Sequence, residues 1–316
     1  MPNKRDVVLS LFDSLRTPEY TPAAFFLHFP PEYHGGQAAV EKHLEYFHYT
    51  GMDFVKIQYE ANFPHLAGIQ TPEDWAKMPF YALDFYESQL RAVEGLVKAA
   101  GPEALVIETL YSPFMCACQT TSNEMVTQHI QENPQAVKRG MEIITESLMG
   151  FVKECIRLGV DGFYTSTQGG EEGRFEDAAL FDTCIRPYDL ALMNEANQSC
   201  IFNILHVCDY LRPYSESGLR QFVDYPGQVV NASLDLTTGK IAPKDVAVMF
   251  GRPFMGGMNR LGVLATGSQD QVRPAAQEAL SNALERTILG ADCTVPNNTN
   301  WDNLRAAIET AHNFQK

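Results

Sequence analysis

The sequence has no run of five basic residues, and its 24 Lys+Arg are outnumbered by 39 Asp+Glu, for a net charge of −15. Phosphate backbones are gripped by clustered Lys and Arg, so this balance argues against nucleic acid as a partner. No apolar run approaches the about 18 residues needed to cross a bilayer, so no membrane partner is expected. A Ser/Gly-rich linker, a low-complexity tract and a charge block are all missing. Nothing therefore divides the chain, and residues 1–316 are expected to form one domain, with 1–22 as an N-terminal helical extension. Lys4 and Arg5 precede Val7-Val8-Leu9, but Asp13 and Arg16 soon interrupt and no small-residue cleavage site follows. That stretch is read as the start of a helix and not as a signal peptide.

A disulfide framework is missing too. The seven cysteines are odd in number and widely spaced in a long chain, which fits a reducing, cytoplasmic setting. There each cysteine packs, binds a metal or acts as a nucleophile.

What is present is alternation. Short β-rich runs occur at Ala23–Phe29, Asp53–Tyr59, Ala104–Leu110, Gly159–Ser166, Cys200–His206, Gln228–Leu234, Pro253–Gly257 and, more weakly, Gly290–Val295. Most are continuously apolar, as parallel strands covered on both faces are. Helical stretches lie between them. Gly36–Tyr49 carries apolar residues at helical spacing. Thr71-Pro72-Glu73-Asp74 and Asn133-Pro134 pair an N-cap with Pro at the first helical position, the second opening a helix to about Leu158. Ser268–Gln271 matches a capping box and opens a helix to about Leu289, with Pro274 early in it, and Leu304–Phe314 closes the chain. Eight βα alternations predict a single (β/α)8 TIM barrel, with a doubly wound open sheet as the second choice. In such a barrel the chemistry sits at the C-terminal ends of the strands.

One such end is Ile204-Leu205-His206-Val207-Cys208, an apolar strand running into His-x-Cys. Alternation puts His206 and Cys208 on one side, where imidazole and thiolate together suit zinc. The two alone equally fit a packed cysteine beside a histidine bonded to a backbone carbonyl. A second end, Asp292-Cys293-Thr294-Val295-Pro296, places Cys293 at the barrel mouth. His206, Cys208 and Cys293 would then form a three-ligand site with an open fourth position, as in catalytic zinc.

His-x-Cys after one strand, followed by Cys293-Thr294-Val295-Pro296 with Thr299, Asn303, Leu304 and Ala306 before the last helix, resembles the uroporphyrinogen decarboxylase superfamily. It is most similar to the zinc-containing, cobalamin-linked branch of methylcobalamin:coenzyme M methyltransferases. Gly159-Val160-Asp161-Gly162, Arg186-Pro187-Tyr188, Ser233-Leu234-Asp235 and Gly256-Gly257-Met258-Asn259 fit the same pattern, from about residue 23 onward. The decarboxylases carry Arg-x-x-Gly-Arg-Tyr where this chain has Phe26–Tyr33 without arginine, and His-Gly-Ile where it has Cys293-Thr294-Val295. A polycarboxylate porphyrinogen needs those guanidinium groups. One departure cuts the other way: Asp209-Tyr210 follows the His-x-Cys where the methyltransferases have Gly.

The resemblance implies a zinc-dependent methyl transfer between a corrinoid, methylcobalamin as co-substrate, and a small acceptor or donor. The corrinoid would be delivered by a separate corrinoid protein, since no Asp-x-His-x-x-Gly module is present, and a homodimer is an allowed assembly. Porphyrinogen decarboxylation and a non-catalytic binding barrel are the alternatives. Beyond the three metal ligands, Asp235 and His28 are the catalytic candidates, and Lys56, Tyr164 and Gln168 the cofactor-binding ones. Lys56, Gln58 and Glu60 alternate on one strand, as do Tyr164, Ser166 and Gln168 on another, and each set also suits polar packing inside the barrel. Cys116-x-Cys118 is read as packing or pocket lining, and Cys155, Cys184 and Cys200 as core.

Overall fold

The computed structural model describes residues 3–315; residues 1, 2 and 316 of the expected domain lie outside them. Seven strands form one parallel sheet, interrupted only by a small hairpin. They are β1 (Phe54–Ile57), β2 (Leu105–Tyr111), β3 (Gly162–Thr167), β4 (Ile204–Val207) and β5 (Val229–Ala232), then β8 (Phe254–Met258) and β9 (Thr287–Ala291), with the antiparallel hairpin β6 (Asp235–Leu236) and β7 (Gly239–Lys240) after β5. Five of the seven strands of the parallel sheet are wholly buried; β2 surfaces only at its last residue and β8 only at Gly257. This explains their near-continuous apolar composition. The sheet curls into a barrel-like α/β fold with helices outside.

The first expected strand, Ala23–Phe29, is not a strand beyond a single bridge at Ala23. The segment is buried and bridges the two edges of the sheet: Leu289 N–H donates to Pro22 O and Ala24 N–H to Leu289 O, while Asp53 N–H donates to Ala23 O. Further main-chain groups are taken elsewhere: Phe26 O accepts from Val295 N–H, and two groups meet side chains. Ala23 N–H donates to the Asp53 carboxylate at 2.7 Å, and Phe25 O accepts from the Tyr46 hydroxyl at 2.9 Å. With these groups divided among several partners, only a single bridge, Ala23 to Leu289, is formed. Asp53, fully buried, also accepts from Tyr20 and meets His312, so one carboxylate ties the N-terminal segment to the last helix.

The helix at Asn133-Pro134 runs Pro134–Leu158, with Asn133 accepting from Ala136 N–H and Gly159 ending it at φ 97°. The Ser268/Gln271 capping box is formed, but that helix stops at Ser281 and β9 begins at Thr287, earlier than the expected Gly290. Pro274 lies inside the helix without ending it. Thr71–Asp74 forms its capping box on a 3-10 turn, Pro72–Lys77. Of the expected N-terminal extension, Lys4–Ser10 is helical. No described helix is long and apolar enough to cross a membrane.

Candidate metal centre and its cavity

His206 occupies the third position of β4, opposite Ser166 on β3 and Asn231 on β5. Cys208 follows the strand end, its N–H donating to Thr167 O. Cys293 lies two residues past β9. The ligand atoms of His206, Cys208 and Cys293 all lie within 4.8 Å of one another, the one such group among the described residues. His206 is 1% exposed, and neither ring nitrogen has a hydrogen-bond partner. A buried imidazole without partners is costly unless something else satisfies it. One neutral imidazole and two thiolates, with room for a fourth ligand, is a donor set suited to zinc.

The two sulfurs act as a pair. The hydrogen bond from the Cys208 thiol holds Cys293 well below the ordinary thiol value, against the effect of burial, and the fields of His206 and Arg260 push the same way. Cys208, the donor, is driven up by that bond and by burial. The Gln168 amide reaches the Cys208 sulfur at 3.5 Å.

Around the cluster opens a cavity of about 1040 Å³, to which His28, Lys56, Tyr164, Ser166 and Gln168 also contribute. Tyr164 stacks on His206 with ring centroids 5.0 Å apart. Its hydroxyl donates to Asn231 Oδ1 at 2.6 Å, and Asn231 Nδ2 donates to Met255 O and Ala291 O. Asn231 thereby links β3, β5, β8 and β9 beneath the cluster. Its signal in the sequence was a lone amide in the apolar run Val229–Ala232. His28 contacts Glu60 at 2.8 Å through Nδ1 and Gln58 at 2.8 Å through Nε2. Burial pushes the Lys56 ammonium down to about 8, against the opposing pull of Cys293 and nearby acids.

Arg260, not singled out from the sequence, is the clamp of the site. Its guanidinium donates to Asp209 Oδ1 at 3.0 Å and Asp292 Oδ2 at 2.7 Å, and its N–H donates to Asp292 Oδ1 at 2.5 Å. Asp209 follows Cys208 and Asp292 precedes Cys293, so one side chain joins the two loops that carry the thiols. The aspartate that stood where the methyltransferases have glycine has its partner here. Burial pushes Asp292 up to about 6, opposed by Arg260.

Asp235 is not brought to this cavity. It starts the β6–β7 hairpin, its side chain is 48% exposed and paired with Lys240 at 3.3 Å, and it borders a separate cavity of about 340 Å³. Cys118 lines the main cavity while Cys116 packs in the core. Cys155 and Cys184 lie buried in helices; Cys200 is buried too, but follows a helix and begins no strand.

The profile of uroporphyrinogen decarboxylase (URO-D) matches residues 47–314. The chain belongs to this family. No curated protein matches the sequence. Among solved structures, a methyltransferase from Methanosarcina mazei is similar at 13% identity, over 98% of each chain, with a TM-score of 0.76. A B12-independent methionine synthase from Shewanella sp. W3-18-1, in complex with selenomethionine, is similar at 10% identity over 93% of this chain and 97% of that one, with a TM-score of 0.59. A putative vitamin-B12-independent methionine synthase from Listeria monocytogenes matches at 12% identity over 88% and 86%, with a TM-score of 0.57. At these identities the likeness is one of fold.

Proposed function

We propose that this member of the family is a zinc-dependent methyltransferase that moves a methyl group between a corrinoid and a small acceptor or donor. The observation that carries the reading is the convergence of His206, Cys208 and Cys293 at the floor of a large cavity, with both imidazole nitrogens unpartnered. A methyltransferase and two methionine synthases of similar fold support methyl transfer; the latter are B12-independent and do not bear on the corrinoid. Zinc held by these three residues would supply Lewis acidity, keeping an incoming thiol deprotonated and nucleophilic near neutral pH.

The protein's own residues would do the rest. Arg260 fixes the spacing of the two thiol-bearing loops, Tyr164 fixes the plane of the His206 ring, and Asn231 holds Tyr164. Gln168 donates toward the Cys208 sulfur and holds it in place. At the mouth, Tyr210 is 72% and Leu261 64% exposed. This apolar rim suits a broad macrocycle such as a corrinoid, presented by a second protein.

Porphyrinogen decarboxylation is the alternative that the family's namesake activity offers. The cavity's cations argue against it: Arg260 is already paired with two aspartates, and no arginine stands in residues 26–33. The test is demethylation of methylcobalamin by the zinc-loaded protein across a panel of thiols and methoxylated compounds. Thiol-dependent loss of the methyl group supports the proposal. No turnover with any of them, together with carbon dioxide release from a porphyrinogen, overturns it.

A further inference from the structure

Lys56 projects from β1 into the cavity that holds His206, Cys208 and Cys293. It is 5% exposed, and its ammonium lies 4.7 Å from the ring centroids of both Phe26 and Tyr164. Its ammonium makes no direct hydrogen bond or ion pair among the described residues, and Cys293, Glu108, Glu60 and Cys208 act on it only through their fields. Aromatic faces offset about 0.5–2 kcal/mol of the cost of burying a cation, which is less than a full counterion provides. The guanidinium of the cavity, Arg260, is occupied by Asp209 and Asp292, and the His28 ring is held by Glu60 and Gln58. Two residues further along the same strand direction, Gln58 is also buried, and its Oε1 has no partner while its Nε2 meets His28. One face of the chain therefore presents a positive charge with no direct partner, felt only at a distance by Cys293, Glu108 and Glu60, and an unused acceptor to the same space. The Tyr164 ring contacts both that charge and His206.

We propose that Lys56 is the anion anchor of this cavity, receiving the single carboxylate-type oxyanion of a small substrate whose reacting atom lies at the His206–Cys208–Cys293 cluster. Gln58 Oε1 accepts a hydrogen bond from a donor on the same molecule. One free cation selects a monoanion over a polyanion. The inference rests on the reading of the cavity as the reaction site.

The test compares 3-mercaptopropionate with its uncharged amide as methyl acceptors, and separately titrates propionate, which has no thiol, by ligand-observed NMR. A charged hydrogen bond in a buried site predicts that the wild type favours the acid over the amide by about ten- to hundredfold in KM. Lys56→Met and Lys56→Gln should abolish that preference and eliminate propionate binding. Equal use of acid and amide by the wild type overturns the anchor even if both variants fail to fold, and so does a preference that survives in the variants. Lys56-dependent propionate binding without any methyl transfer would sink the proposed function and leave the anchor standing. Transfer without acid preference would do the reverse.

Discussion

Replacing Arg260 by methionine removes the one guanidinium that joins the loop of Cys208 to the loop of Cys293. Its partners Asp209 and Asp292 are 11% and 9% exposed in their side chains, and Arg260 is 14% exposed. Breaking a fully buried pair costs about 3–5 kcal/mol, because a charge is stranded. Here Asp292, already pushed up to about 6, can take a proton, and residual exposure screens Asp209. The expected loss of stability is therefore roughly 2–3 kcal/mol at pH 7, read by urea denaturation. Methionine keeps most of the aliphatic stem, so the loss reports charge and not volume. The loops would then spread, and zinc affinity measured by chelator competition should fall by about 10–100-fold, the usual effect of disturbing the groups that orient metal ligands. A variant that unfolds at the wild-type urea midpoint and holds zinc as tightly would refute the clamp.

Further outcomes follow from buried polar groups elsewhere. Asp189 is fully buried, accepts from Thr167 at 2.6 Å, and burial pushes it up to about 7. Its native form thus keeps a proton that the unfolded chain gives up, so its contribution is complete below about pH 4 and is lost as pH rises to about 7. Asp189→Asn should flatten the fall in Tm over that window, worth roughly 4 kcal/mol, relative to wild type; parallel profiles would contradict this. Asn231→Ala removes the donor to two strand carbonyls and the acceptor for Tyr164, and should cost roughly 2–4 kcal/mol in denaturant unfolding. An unchanged midpoint would show that this bridge carries no load.

The parts of the fold that could be read in advance were those set by local chemistry. Asn133-Pro134 marks a helix start because both residues fix backbone groups at the N-terminus, and Ser268/Gln271 does the same. The approach of His206 and Cys208 to Cys293 was also legible, because period-two alternation and strand-end placement are properties of short segments. What could not be read depends on distant partners. Ala23–Phe29 has strand composition, but its hydrogen bonds are divided among Leu289, Val295 and the side chains of Asp53 and Tyr46, all distant in sequence. Asp235 looked like a strand-end group facing the site, and the two-residue β6–β7 hairpin carries it to a neighbouring cavity. Arg260 follows a Gly-Gly-Met-Asn run that drew attention to itself, and its role appears only once Asp209 and Asp292 are seen on either side. The departure at Asp209 was visible as a mismatch but had no explanation without its partner.

The most direct measurement is the metal content of the purified protein beside His206→Ala, Cys208→Ala and Cys293→Ala. The account predicts about one zinc per chain in the wild type and its loss in all three variants. Each variant should remain folded by circular dichroism. Zinc absent from the wild type, or retained at full stoichiometry when either cysteine is removed, would contradict it.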